Sequence, residues 1–284
     1  MRRLASLVFL LIALPAAAQT APDLAACLGR VVPYAPGRPQ RADSVWTLAL
    51  DAPGGGALRY VGARHASDPA DPQFASIEAA YRDFGPTVVF YEGPERPLEE
   101  TADATIRAFG ESGYVRFLAR ERGARVARLE PSPGDDFGAV AEALDVERAS
   151  LFFLLRETAR LRDRRGLAGA ELDAAIASLV ERAHGMGLPI ASLDDMAAAY
   201  GRHFSSPADW RAAPSAWFDP YADDDATGGV FMAEANRASS HFRNLHMARV
   251  LAEAARSGER VFAVVGADHV PLQTPALRCA LAAP

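Results

Sequence analysis

An apolar run that ends in Gly-x-x-His occurs twice in this chain, and no other feature constrains its fold as tightly. Leu58, Tyr60 and Val61 lead into Gly62-Ala63-Arg64-His65. Val261-Phe262-Ala263-Val264-Val265 leads into Gly266-Ala267-Asp268-His269. With 22 Gly and 6 His in 284 residues, about half a match is expected by chance at average usage. Two matches, each after a strand-like run, carry more. In open α/β sheets ligands gather outside the carboxyl ends of strands, where strand-to-loop turns open a crevice. Glycine allows a sharp turn and a close approach there, and an imidazole just beyond it can bind a metal or move a proton near neutral pH.

The rest of the pattern fits such a sheet. Val45–Leu50 and Ala57–Val61 flank the turn Pro53-Gly54-Gly55-Gly56 and read as a hairpin. Thr87–Tyr91, Arg125–Leu129, Pro189–Leu193 and Val261–Val265 read as further strands. Helical spacing covers Ile77–Phe84, Thr101–Phe109, Tyr114–Arg122, Phe137 to about Leu161, Ala170–His184 and Phe231–Arg256. Ser205–Gly229, rich in Pro, Asp and Trp, reads as an ordered loop or lid. Alternating strands and helices predict an α/β fold with a largely parallel or mixed central sheet. A helical insertion over about 97–235 would cover the crevice. No Gly/Ser/Pro tract, repeat or charge block divides the chain, which reads as a single domain from 19 to 284.

Residues 1–18 read as a signal peptide: Met1-Arg2-Arg3, the apolar run Leu4–Leu14, then Pro15-Ala16-Ala17-Ala18. The expected location is therefore periplasmic or secreted. A competing lipobox, Leu24-Ala25-Ala26-Cys27, follows a polar interruption at Gln19–Asp23. No later run approaches the roughly 20 apolar residues of a membrane span. A formal charge of −6 without a basic stripe argues against a nucleic-acid partner and leaves a small molecule or peptide as substrate. Oligomeric state is not legible. The two cysteines, Cys27 and Cys279, lie near opposite ends of the exported chain and can pair in an oxidising compartment. The alternative is two buried free thiols.

Several strand-like runs end in a residue with chemical potential: His65, Glu92, Glu130, Asp194 and His269. A parallel sheet would bring them to one edge. His and carboxylate side chains suit Zn²⁺ or Mn²⁺, and the same set suits general acid–base hydrolysis without metal. Arg243, beside Asn244, can clamp a carboxylate or oxyanion or form an ordinary ion pair. His184, His203, His241 and His246 read as structural or surface residues, the last two being five apart and so off a common helix face. Nucleophile-elbow, His-Glu-x-x-His, phosphate-loop and dinucleotide signatures are missing in a fitting context.

At Gly62-Ala63-Arg64-His65, Val88–Gly93, Arg243-Asn244 with Met247, and Val264–His269 the chain resembles the TraB/GumN/TIKI superfamily, which takes in erythromycin-esterase-like and ChaN-like proteins. The resemblance implies an α/β core of two related halves with a helical insertion. It places the two Gly-x-x-His motifs, Glu92 and Arg243 in one active site. It implies metal-assisted cleavage of a peptide or ester bond, with His65, Glu92 and His269 as metal ligands or water activators and Arg243 at the oxyanion. The other branch implies haem or small-ligand carriage. Arg64, Glu130, Asn244 and Asp268 are the neighbouring ligand-binding candidates. The chain differs from the family pattern at Arg64, at Asp268 and over Val270–Pro275, where a Gly-rich turn is usual.

Overall fold

The computed structural model describes residues 22–35, 46–222, 227 and 231–282; the signal-peptide expectation lies outside them. Its centre is a five-stranded sheet in the order β1-β2-β5-β3-β4. The strands are β1 (Trp46–Asp51), β2 (Ala57–Ala63), β3 (Val88–Tyr91), β4 (Arg125–Arg128) and β5 (Arg260–Gly266). β1 and β2 form the expected antiparallel hairpin, and β2, β5, β3 and β4 run parallel to one another. The sheet is thus mixed and mostly parallel.

Alternation along the strands sets the layers, because successive side chains point to opposite faces. Leu58, Tyr60, Val88, Phe90, Val261, Ala263 and Val265 pack toward α1 (Leu24–Leu28), α8 (Met232–Arg256) and α9 (His269–Ala280). Val61, Ala63, Val89, Tyr91, Phe262 and Val264 pack toward α2 (Pro72–Phe84) and α3 (Ala102–Arg122). β5 is buried on both faces, which is why its sequence is continuously apolar instead of alternating. β4 is the opposite case. It forms one edge of the sheet, and its two arginines leave an exposed, charged edge. A disulfide between Cys27 and Cys279 fastens α1 to α9. It engages the thiol that lipidation would require.

A second core lies among α4 (Pro133–Ala143), α5 (Val146–Arg165), α6 (Gly169–Gly185), α7 (Leu193–His203) and the start of α8. Phe152, Leu155, Ile176, Met196, Trp210 and Trp217 fill it. Both tryptophans come from the stretch read as a loop or lid. Through residue 222 that stretch is ordered, with two short 3₁₀ turns, and its aromatic side chains are core. Among the described residues no helix is long and apolar enough to cross a membrane.

Three expectations need correction. Pro189–Leu193 is not a strand: only Ile190 is buried, and Ser192 caps α7 by accepting the Asp195 N–H. Asp194 consequently sits exposed in the first turn of a helix and not at a sheet edge. The Phe137–Leu161 helix is two helices, parted at Asp145, whose carboxylate accepts the Arg148 N–H as the cap of α5. Finally, Thr101–Phe109 and Tyr114–Arg122 belong to one helix, α3, kinked at Gly110. Beyond the runs read above, a helix also begins at His269. Pro271 falls in the first turn, where a missing N–H costs no helical hydrogen bond.

Candidate functional site

The parallel register brings four strand ends together. Ala63 pairs with Gly266, Tyr91 with Val264, and Tyr91 with Arg128. The residues that follow each strand therefore emerge at one edge: His65, His269, Glu92 and Glu130. His65, His269 and Glu92 surround Gly266. A Cβ built there would lie 3.4 Å from Glu92 Oε2, 3.7 Å from His269 Cδ2 and 3.8 Å from His65 Nε2. Residues about two hundred positions apart thus share one small space.

Within it a buried polar chain runs across the ends of the strands. Glu92 Oε2 accepts the Gly266 N–H at 2.7 Å, while Oε1 lies 2.9 Å from Arg243 Nη2 and 3.4 Å from His269 Nε2. The same Arg243 Nη2 donates to Glu130 Oε1 at 2.5 Å, and Glu130 Oε2 accepts the Gly93 N–H at 2.8 Å. At the other end His269 Nδ1 contacts Asn244 Oδ1 at 2.8 Å, which also accepts from Gln273 Nε2 at 2.7 Å. Asn244 donates through Nδ2 to the Ser240 carbonyl, and the buried Tyr60 hydroxyl donates to Gln273. With the Asn244 amide oriented this way, His269 Nδ1 is the donor and Nε2 faces Glu92. Burial alone would raise the Glu92 carboxyl. The His269 ring, Arg243 and the Gly266 N–H outweigh it and hold the group well below the usual carboxylate range. Two carboxylates share one guanidinium here, and each also accepts a backbone N–H.

His65 differs in every respect. Its side chain is 73% exposed, whereas that of His269 is 8% exposed. Its Nδ1 lies 2.7 Å from Glu111 Oε1, whose side chain is buried to 9% exposure. Nε2 is turned toward Gly266 and open space. The Glu111 hydrogen bond outweighs burial and raises the imidazole above its usual 6.5, while Arg164 pulls it down. Glu111 reaches this position because α3 is kinked at Gly110, whose φ of 60° is left-handed. A Cβ there would lie 2.8 Å from the Ala66 carbonyl oxygen, so only glycine lets α3 approach the loop that carries His65.

The other candidates divide. Arg64 fastens its loop to the start of α2: its guanidinium donates to Asp71 at 3.1 Å, and Gln73 clamps its N–H and carbonyl at 3.0 Å each. It still lines the recess beside Gly266 together with Asp268. Asn244 and Glu130 belong to the buried chain. His184 lies on an exposed helix end, and His203 contacts Glu147 in the second core, so neither joins the site. Glu111, Gln273 and Tyr60 were not legible as site residues. The signal for Glu111 was the break in helical spacing at Gly110–Gly113, between two stretches that are in fact one helix.

Besides the recess at Gly266, the site opens on two larger ones that share Glu130 and Arg164 as a wall. One, about 820 Å³, lies beside His65 and Glu111; the other, about 630 Å³, lies under Arg243 and His269. His65, Glu92 and His269 do meet around Gly266, but not as a metal-holding set. Among the described residues no three His, Cys, Asp or Glu side chains are arranged to hold a metal ion. Glu92 is engaged by a guanidinium and a backbone N–H, and His65 turns Nδ1 to Glu111. Comparison with protein-family models, with characterised proteins and with solved structures finds no match.

Proposed function

We propose that this chain is a hydrolase that cleaves an ester or amide bond with His65 as general base. The observation that carries the reading is the Glu111–His65 pair: a buried carboxylate on Nδ1 and a free Nε2 in an open recess. Glu111 fixes the Nδ1–H tautomer and stabilises the imidazolium that forms when Nε2 takes a proton from water. Such a base works within hydrogen-bond reach of its water, and the exposed face of His65 leaves room for one.

Arg243 supports the second half of the chemistry. It reaches both carboxylates through the single atom Nη2, so the other end of its guanidinium is not engaged by them. That end lines the neighbouring recess, across the wall of Glu130 and Arg164 from His65, where a fixed N–H donor can meet a developing oxyanion without reorganising. Glu92 and His269 then act as positioning residues, holding Arg243 and the Gly266 strand end in place. The TraB/GumN-like resemblance belongs to the same proposal, with its metal replaced by the His65–Glu111 pair.

The test is ester hydrolysis by chelator-treated protein, with p-nitrophenyl acetate as probe. Turnover should survive the chelator and fall about 10²- to 10⁴-fold in His65→Gln, the usual contribution of a general base. Turnover that depends on added Zn²⁺ or Mn²⁺, or that persists in His65→Gln, overturns the reading.

A further inference from the structure

We infer that the recess beside His65 takes a substrate bearing an oxyanion group, a carboxylate or phosphate, seated between Arg96 and Arg164. The inference rests on the hydrolase reading and names its substrate class.

Four arginines line this recess: Arg96, Arg107, Arg116 and Arg164. Two are engaged by the protein. Arg116 donates to the Arg96 carbonyl at 2.5 Å and lies over the Tyr91 ring, and Arg107 faces Asp103 at 3.7 Å. The first contact fixes the backbone that carries Arg96. The guanidinium groups of Arg96 and Arg164 have no ion pair or hydrogen bond among the described residues.

The acids on the same wall do not offset them, because each is already matched. Glu111 contacts His65, Glu92 contacts Arg243 and His269, and Glu130 contacts Arg243 and Arg128. Two uncompensated guanidinium groups therefore face the recess of a molecule whose formal charge is −6. In an acidic protein such a spot focuses anions locally. A planar guanidinium fork suits a carboxylate or phosphate better than a neutral group. Arg164 occupies the last turn of α5, beside Arg162 and Arg165. Arg162 is engaged by the Arg211 and Ala213 carbonyls, whereas Arg164 lines the recess and its field reaches the His65 ring. An anion held there places the rest of the substrate over Nε2 of His65.

Binding is testable without turnover. Inorganic phosphate and succinate are titrated separately into the full chain by calorimetry, with the His65 ring followed by NMR. At least one should bind saturably and move the His65 signal; which of the two binds tighter distinguishes the phosphate from the carboxylate source. Arg96→Gln and Arg164→Gln should each weaken it about tenfold or more, the loss expected for a charge-assisted hydrogen bond. Arg278→Gln, an exposed arginine of α9 outside the recess, should change nothing. All three side chains are exposed, so the substitutions leave the fold intact. His65→Gln should keep anion binding while losing ester hydrolysis, which separates failure of this inference from failure of the hydrolase reading. Saturable binding by neither anion, or binding unchanged in both Arg96→Gln and Arg164→Gln, overturns it.

Discussion

The two Gly-x-x-His motifs are alike in sequence and opposite in structure, and the difference is crossed. In the first, Gly62 is the packing residue: a Cβ there would lie 2.9 Å from both Ala267 Cα and Val270 Cγ2. Its histidine, His65, faces the open recess. In the second, Gly266 borders the empty centre of the site, and His269 is buried in the chain from Tyr60 to Glu130. One motif thus supplies a tight joint and a free imidazole. The other supplies free space and a locked imidazole. A shared spacing places residues at a sheet edge; burial and partners then decide which of them can react.

The largest effect should come from breaking the locked half. Arg243→Ala leaves Glu92 and Glu130, with side chains 19% and 15% exposed, without their shared cation. Removing one partner of a buried ion pair costs about 3–5 kcal/mol, measurable by urea unfolding. His65→Gln should leave the unfolding midpoint close to that of the wild type, because its side chain is mostly in water.

The glycines give a smaller and sharper contrast. Gly62→Ala forces a methyl group against the backbone of Ala267 and should cost about 1–3 kcal/mol as overpacking. Gly266→Ala meets only ordinary contacts and should change stability by less than about 1 kcal/mol. Its methyl group nevertheless occupies the space between His65, Glu92 and His269. Hydrolysis should therefore fall in Gly266→Ala while the fold stays intact, and equal destabilisation by the two substitutions would erase the contrast.

The pH responses should also part. Glu92 is held well below its usual 4.5, so its contribution to stability is complete above about that pH. It is lost only as pH falls through the lower folded value. His65 is raised above 6.5, so the contribution of its contact with Glu111 is complete below that pH and fades as pH rises through the folded value. Acid unfolding monitored by circular dichroism should thus lose its steepest low-pH phase in Glu92→Gln, with no such change in His65→Gln.

Much of the sheet was legible because apolar runs with turn residues at both ends mark strands: five of six expected strands are present. The sixth failed because Pro189–Leu193 has one buried side chain, and its Ser192 serves a helix cap. The helix after His269 was hidden by prolines tolerated in context. His65, Glu92, Arg243 and His269 could be read from strand ends and side-chain chemistry. Glu111 could not, because it enters the site through the Gly110 kink, and sequence spacing does not report which way a kinked helix turns. Nor could the sequence distinguish His65 from His269, since partners drawn from α3 and α8 set their environments.

Whether Glu111 makes His65 a reactive base is read from NMR titration of the His65 imidazole in the wild type and in Glu111→Gln. The ring should titrate above 6.5 with Nδ1 protonated in the neutral form, and that value should fall when the carboxylate becomes an amide. A His65 that titrates identically in both proteins would contradict it.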